Sequence, residues 1–204
     1  MCIPSSPASQ PASKPRPPAP TGIHEIKYDG FRLIARRTAD GITLTTKQGS
    51  DFSDRYSLIV GAIAKLKVNS ICIDGEAMCF TGADQDFDKL WSRKHDDEVR
   101  LCAFDLLELN GIDLRGLPLL ERKKQLFKVI RRSVGIEFVE HLAGDGPTIF
   151  AKACGLGYEG IVSKRADRPY QSGETRIWLK TKNPAHPAMQ RVMDAFESER
   201  RRAR

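Results

Sequence analysis

The stretch His24-Glu25-Ile26-Lys27-Tyr28-Asp29-Gly30-Phe31-Arg32 decides how this chain is read. Its first half belongs to a short β-type run, Ile23 to Tyr28, and its end opens a second, Phe31 to Arg37. A third run, Ile42 to Lys47, follows the turn signal Ala39-Asp40-Gly41, so antiparallel pairing is expected from the outset. In an extended segment the two-residue period puts Glu25, Lys27 and Asp29 on one face, with Ile26 and Tyr28 on the other. A lysine facing a cavity can act as a nucleophile if desolvation and neighbouring cations keep its amine neutral. Read alone, Lys-x-Asp-Gly is more often a strand-end turn carrying a surface lysine.

Outward from this point, helical spacing occurs at Leu58, Ile59, Ile63 and Leu66, from Pro118 to Arg132, and from Pro147 to Cys154, where glycines supply the stop. Apolar strands are expected at Ile71 to Ile73, Val99 to Leu109, Gly160 to Ser163 and Arg176 to Lys182. Strands arrive in groups rather than alternating with helices. The expected class is therefore α+β, antiparallel sheets flanked by helices, and not a doubly wound parallel fold. Gly155-Leu156-Gly157-Tyr158-Glu159-Gly160 matches G-x-G-x-x-G, but it follows a helix and precedes a strand, the reverse of the order a dinucleotide fingerprint requires.

The 204 residues allow one sizeable core with tails. Residues 1–20 hold seven of the twelve prolines and almost nothing apolar, which reads as a disordered leader. A single domain is expected over 21–187, followed by a basic helical tail over 188–204. The formal net charge of +7 favours a polyanionic partner without requiring one. Five cysteines, odd in number and without Cys-x-x-Cys spacing, read as reduced thiols rather than a zinc site. No apolar run approaches the roughly 20 residues that cross a bilayer, and no secretion signal opens the chain, so a soluble cytoplasmic protein without a membrane partner is expected.

Four further clusters carry chemistry. Asp74-Gly75-Glu76 closes an apolar strand with two acids on one face, fit for a ribose hydroxyl or Mg²⁺, or else a solvated turn. Phe104, in Phe104-Asp105-Leu106-Leu107, could stack on a purine or be an ordinary core aromatic. Glu159-Gly160-Ile161-Val162-Ser163-Lys164 is the third, and Trp178-Leu179-Lys180-Thr181-Lys182 the fourth. Strand alternation sets Lys180 and Lys182 on one face about 7 Å apart, close enough to grip phosphate oxygens while Ile177 and Leu179 pack inward. A solvated strand face would look the same.

Taken together and in this order, the five clusters resemble motifs I, III, IIIa, IV and V of the covalent nucleotidyltransferases, a superfamily of DNA ligases, RNA ligases and capping enzymes. The text around Lys27, and Glu159 through Arg165, looks most like bacterial ATP-dependent DNA ligases of the end-joining kind. The resemblance covers about Ile23 to Pro187. It implies that Lys27 attacks the α-phosphate of ATP, releases pyrophosphate and carries AMP, which then passes to the 5′-phosphate of nicked double-stranded DNA for sealing. It further implies that Lys180 and Lys182 act with Lys27 in catalysis, meeting the α-phosphate and depressing the pKa of Lys27. Glu25, Arg32, Lys47, Glu76, Phe104, Glu159 and Lys164 would bind the nucleotide, with Glu25 at the adenine and Phe104 stacked on it. Glu76 and Glu159 would hold Mg²⁺ or Mn²⁺. The implied setting is DNA repair in the bacterial cytoplasm, at the nucleoid, with end-joining repair proteins as further partners.

Three departures from the family pattern stand out. Thr46-Lys47-Gln48-Gly49 replaces the usual Thr-Arg-Asn-Gly, which keeps a charge but loses the guanidinium fork. Gly22 stands where tryptophan is common. Only 22 residues follow Lys182, too few for the five-stranded oligonucleotide-binding barrel expected next, so the chain is either a fragment or a minimal protein. Two other functions fit less well: an RNA-directed nucleotidyltransferase, and a degenerate module that holds nicked DNA or a repair partner without turnover.

Overall fold

The computed structural model describes residues 22–173, 177–189 and 191. The leader, and most of the tail with its arginine cluster Arg200 to Arg202 and Arg204, lie outside the described residues, as does Arg176. Of the expected tail helix only the start is described, with residues 187–189 helical.

The chain runs β1 (Gly22–Ile26), β2 (Phe31–Thr38), β3 (Gly41–Thr46), α1 (Ser57–Ala64), β4 (Ile71–Met78), β5 (Phe80–Thr81), β6 (Asp84–Gln85), α2 (Phe87–Trp91), β7 (Arg100–Leu109), β8 (Ile112–Asp113), α3 (Leu119–Ile130), β9 (Ile136–Phe138), β10 (Leu142–Ala143), α4 (Gly146–Gly155), β11 (Gly160–Arg165) and β12 (Trp178–Lys182). Two main sheets result. One has the order β10-β1-β11-β12, and the other β3-β2-β4-β7-β8, with β9 joining β7 in parallel. Every other pairing in them is antiparallel.

Alternation along the strands divides core from cleft. On β2, Leu33 and Ala35 are fully buried and pack with Ile71, Ile73 and Ala77 of β4 and Leu101, Ala103 and Leu106 of β7, under α1 and α3. Arg32, one residue before Leu33, faces the other way, into the space toward the first sheet. Helix α3 is amphipathic: Leu119, Leu126 and Ile130 meet the core while Leu120 and Phe127 stay exposed. Helix α4 starts where Asp145 accepts a hydrogen bond from the Thr148 N–H at 2.9 Å, with Pro147 in its first turn.

Several expectations are corrected. Asp74-Gly75-Glu76 does not end a strand: β4 continues to Met78, with register shifts against β7 on both sides of Ile73-Asp74. A Cβ at Gly75 would lie 2.7 Å from Leu101 Cδ1, so glycine is what lets the two strands close here. β1 is shorter than expected and stops at Ile26, because the chain turns at residues 27–30 into β2. Asp29 therefore leaves the face of Lys27; its carboxylate pairs with Arg191 and its N–H meets Gln85 Oε1 at 3.3 Å. The small hairpin of β5 and β6, helix α2 and the short strands β8 to β10 carry too few residues to give a periodic signal. The G-x-G-x-x-G run joins the end of α4 to β11, as its order in the sequence implied.

Candidate active site

Between the two sheets lies a cavity of about 510 Å³. Its walls include Glu25, Lys27, Arg32, Lys47, Glu76, Phe104, Lys164 and Lys180, so eight of the ten candidate residues share one cleft. Glu159 stands just behind, and Lys182 lies beyond the lining.

Lys27 follows β1, and its N–H donates to Gly160 O at 2.9 Å, extending the β1–β11 ladder by one step. Its ammonium pairs with Glu159, whose side chain is 4% exposed. In the register, Glu25 faces Val162 and Val162 faces Lys180, while Gly160 faces Lys182. Lys27, Gly160 and Lys182 therefore form one row across three strands. At ~4.8 Å per strand, the two lysine Cα atoms stand roughly 10 Å apart. Gly160 between them has no side chain to fill the gap. Its φ of +144° and the 2.0 Å separation of a notional Cβ from Thr181 O leave that position to glycine alone. Glycine thus lets β11 and β12 approach closely here, between the two lysines. Ile177 and Leu179, expected to pack inward, are half-buried.

Arg32, on β2 opposite Glu76, is fixed by a bidentate ion pair: Nε donates to Asp74 Oδ1 at 3.0 Å and Nη2 to Asp74 Oδ2 at 2.6 Å. Tyr170 also donates to Asp74 Oδ2 at 2.9 Å. Asp74 is fully buried, so of the two acids expected on this face only Glu76 faces the cleft. Phe104 stands edge-on to Trp178 with ring centroids 5.8 Å apart, and Lys164 Nζ lies 4.2 Å and 4.1 Å from the two ring centres. Lys164 and Glu25 pair at 2.5 Å, and both are buried. Lys47 reaches the lining from the tight turn after β3, where Gly49 N–H bonds Thr46 O at 2.9 Å. Lysine in place of the family's arginine thus keeps a cation in the cleft wall.

Burial pushes the Glu76 carboxyl up to about 7, although Lys27, Lys180 and Arg32 all pull it down. Lys180 is shifted below the usual lysine value, first by desolvation and then by the Lys27 charge. For Mg²⁺ the donor set fits in part. Glu76 offers hard carboxylate oxygens to which no described residue donates a hydrogen bond, whereas Glu159 is engaged by Lys27. Among the described residues no cluster of three or more His, Cys, Asp or Glu could cage a metal. One or two carboxylates completed by substrate phosphates is the arrangement magnesium commonly accepts.

A raised carboxyl pKa sets the sign of a stability effect. Between the ordinary value of 4.5 and about 7 the folded state holds a proton on Glu76 that the unfolded chain has released, so stability falls as pH rises through that window. Glu76→Gln should therefore raise Tm relative to wild type at pH 8 and gain much less at pH 5, measured by thermal melts in chelator. A gain of equal size at both pH values would show that Glu76 ionises freely.

Sequence reading missed Lys123 and Tyr170 as members of the site, and gave Trp178, inside a quoted cluster, no role of its own. For Lys123 a signal exists: it interrupts the stripe Leu119, Leu126 and Ile130 of α3, where an apolar residue belongs. For Tyr170 none does, since it lies in an irregular segment after β11.

A cleft between two mainly antiparallel sheets, with a paired lysine on its floor and an aromatic wall, agrees with the nucleotidyltransferase resemblance carried by the five sequence clusters. The model of the ATP dependent DNA ligase domain matches residues 16–182. The multifunctional non-homologous end joining protein LigD of Mycobacterium bovis is 31% identical over 161 residues, which is 78% of this chain and 21% of that protein. The solved ligase domain of Mycobacterium tuberculosis LigD superposes with a TM-score of 0.72 at 30% identity, over 81% of this chain and 55% of that one. A mycobacterial DNA ligase D complexed with ATP and MES gives 0.71 at 29%, over 81% and 56%. The chain belongs to the ATP-dependent DNA ligase domain family, and it spans about a fifth of the length of the LigD relative and just over half of the solved chains.

Proposed function

We propose that this domain binds ATP in the cleft and transfers its AMP through Lys27 to the 5′-phosphate of nicked DNA. The observation that carries the reading is one cavity lined by Lys27 and Lys180 from the first sheet and by Arg32 and Lys47 from the second, four cations around a space of phosphate scale. The Lys27 Nζ lone pair forms the bond to the α-phosphorus, the bond from that phosphorus to the bridging oxygen breaks, and pyrophosphate departs. Glu159 is placed to hold the proton that Lys27 must lose. Lys180 and Lys182 offset the charge that develops on the phosphoryl oxygens. Arg32, fixed by Asp74, and Lys47 line the same wall, while Phe104 and Lys164 with Glu25 form the base end. Mg²⁺ or Mn²⁺ held by Glu76 would neutralise phosphate charge.

A second cavity of about 830 Å³ shares Arg32, Lys47, Trp178 and Lys180 with the first and adds Arg115 and Tyr170. This basic extension suits the acceptor strand. The relatives named for end joining support a role in DNA repair; a setting in the bacterial cytoplasm, at the nucleoid and alongside end-joining proteins, is part of the same proposal. Among the described residues no helix is long and apolar enough to cross a membrane.

Incubation with α-labelled ATP and Mg²⁺, then with nicked duplex, should first label the protein and then the DNA 5′ end. Absence of protein label, or label from GTP in preference to ATP, would overturn the reading. Within it, Lys180→Ala should slow adenylation by about 10²-fold, the scale of losing one preorganised charge contact. Lys182→Ala, at the end of the row and outside the lining, should cost less. Single-turnover labelling of the two variants tests that order, and equal losses would contradict it.

A further inference from the structure

The base end of the cleft is backed by a buried lysine, Lys123, that the reaction as described does not use. Lys123 projects from α3 and is 1% exposed, whereas lysine is almost never fully buried unless it is paired. Its Nζ donates to Glu25 Oε1 at 2.6 Å and to Val139 O at 2.8 Å, and lies 4.6 Å from the centre of the Phe138 ring. The other Glu25 oxygen, Oε2, is held by Lys164 at 2.5 Å. Burial pulls the Lys123 ammonium below its usual value, with Glu25 opposing and Lys164 adding to the shift. One carboxylate thus sits between two buried cations, an arrangement expensive to form and costly to break on one side.

Glu25 and Val139 both line the cavity, whereas Lys123 does not. Lys123 therefore binds the two acceptors from behind, spending two of its three donors on them, and does not line the cleft itself. Both acceptors retain lone pairs on their free sides. A pair of fixed acceptors suits an exocyclic amine, which donates two hydrogens, and disfavours a carbonyl in the same place. That discrimination needs the acceptors to be held in position, because an acceptor free to swing away leaves no unpaired group to penalise the wrong base.

We propose that Lys123 is a positioning residue for base selection: by tying the Glu25 carboxylate to the Val139 carbonyl, it sets a two-acceptor edge that selects a 6-aminopurine. This rests on the reading of the cleft as an ATP site. Lys123 touches no reacting atom, and the phosphate floor lies at the other end of the cleft.

The test is equilibrium binding in chelator, by calorimetry, of ATP and of purine riboside triphosphate, which lacks only the 6-amino group. Wild type should bind ATP about tenfold more tightly than the analogue, the scale of one charge-assisted hydrogen bond. Lys123→Met keeps the length of the side chain and leaves the Glu25–Lys164 pair neutral as a whole. It should weaken ATP about tenfold and leave the analogue within about twofold, so the preference collapses. Lys123→Arg should restore part of it. Lys123→Gln keeps one donor and should give an intermediate preference, and it decides the matter if the Met variant does not fold. A variant that folds and weakens both ligands equally, or a wild type indifferent to the amine, overturns the proposal. Base preference with no covalent label would instead sink the adenylation reading and leave this one standing.

Discussion

Lys27→Ala should bind ATP and form no covalent adduct, a loss of 10⁴-fold or more on the order expected for deleting a nucleophile. The effect is large because no other described lysine shares its circumstances. Lys180 and Lys182 sit on an outer strand of the same sheet, and Lys164 is committed to Glu25 and the Phe104–Trp178 pair. Among the described lysines only Lys27 combines a place in the cavity lining with a buried carboxylate at its amine that is shared with no second cation. Filter-retained label on the denatured protein measures the adduct, and calorimetry confirms that nucleotide still binds. A variant that labels at even a tenth of the wild-type rate would move the nucleophile elsewhere.

Asp105→Ala should be the most destabilising single change near the site. Asp105 and Arg122 form a pair whose side chains are 0% and 1% exposed, with Oδ1 2.7 Å from Nε and Oδ2 2.8 Å from Nη2. Removing the acid leaves a buried guanidinium with the carbonyls of Leu117 and Arg168 and the face of the Tyr170 ring, but no counter-charge, as partners. Breaking such a pair from one side costs about 3–5 kcal/mol, or roughly 6–20 °C in Tm for a chain of this size. Replacing both partners, as Asp105→Leu with Arg122→Met, should recover most of the loss, because the desolvation penalty disappears with the charges. Thermal melts of the single and double variants decide it. A double variant no better than the single would mean that the pair contributes more than its charges cost. Because Asp105 adjoins Phe104 in sequence, a loss of adenylation in Asp105→Ala should be read against its stability before any catalytic role is assigned.

The parts of this site that were legible in the sequence are those carried by strand alternation and short fixed spacings. Glu25 with Lys27, Glu159 with Gly160, and Lys180 with Lys182 each declare their relation within three residues, and the structure brings these segments into adjacent strands. What sequence could not give was partnership over long separations. Lys123 meets Glu25 across 98 positions, and Tyr170 meets Asp74 across 96. No local rule links such pairs; only closure of one sheet against the other does. The role of Asp74 was misjudged for the same reason, since its partner Arg32 lies on a neighbouring strand and neutralises the acid before it can face the cleft. Asp29 was misplaced by assuming that the strand continued past Ile26, and the turn at residues 27–30 explains the error.

The central claim is tested most directly by locating the nucleotide. After incubation with ATP and Mg²⁺, the chain is digested under conditions that preserve a phosphoramidate, and the modified peptide is sequenced by tandem mass spectrometry. The account predicts AMP on Lys27 and on no other residue. AMP on Lys180, Lys182 or Lys164, or a chain that binds ATP yet carries none at all, would contradict it.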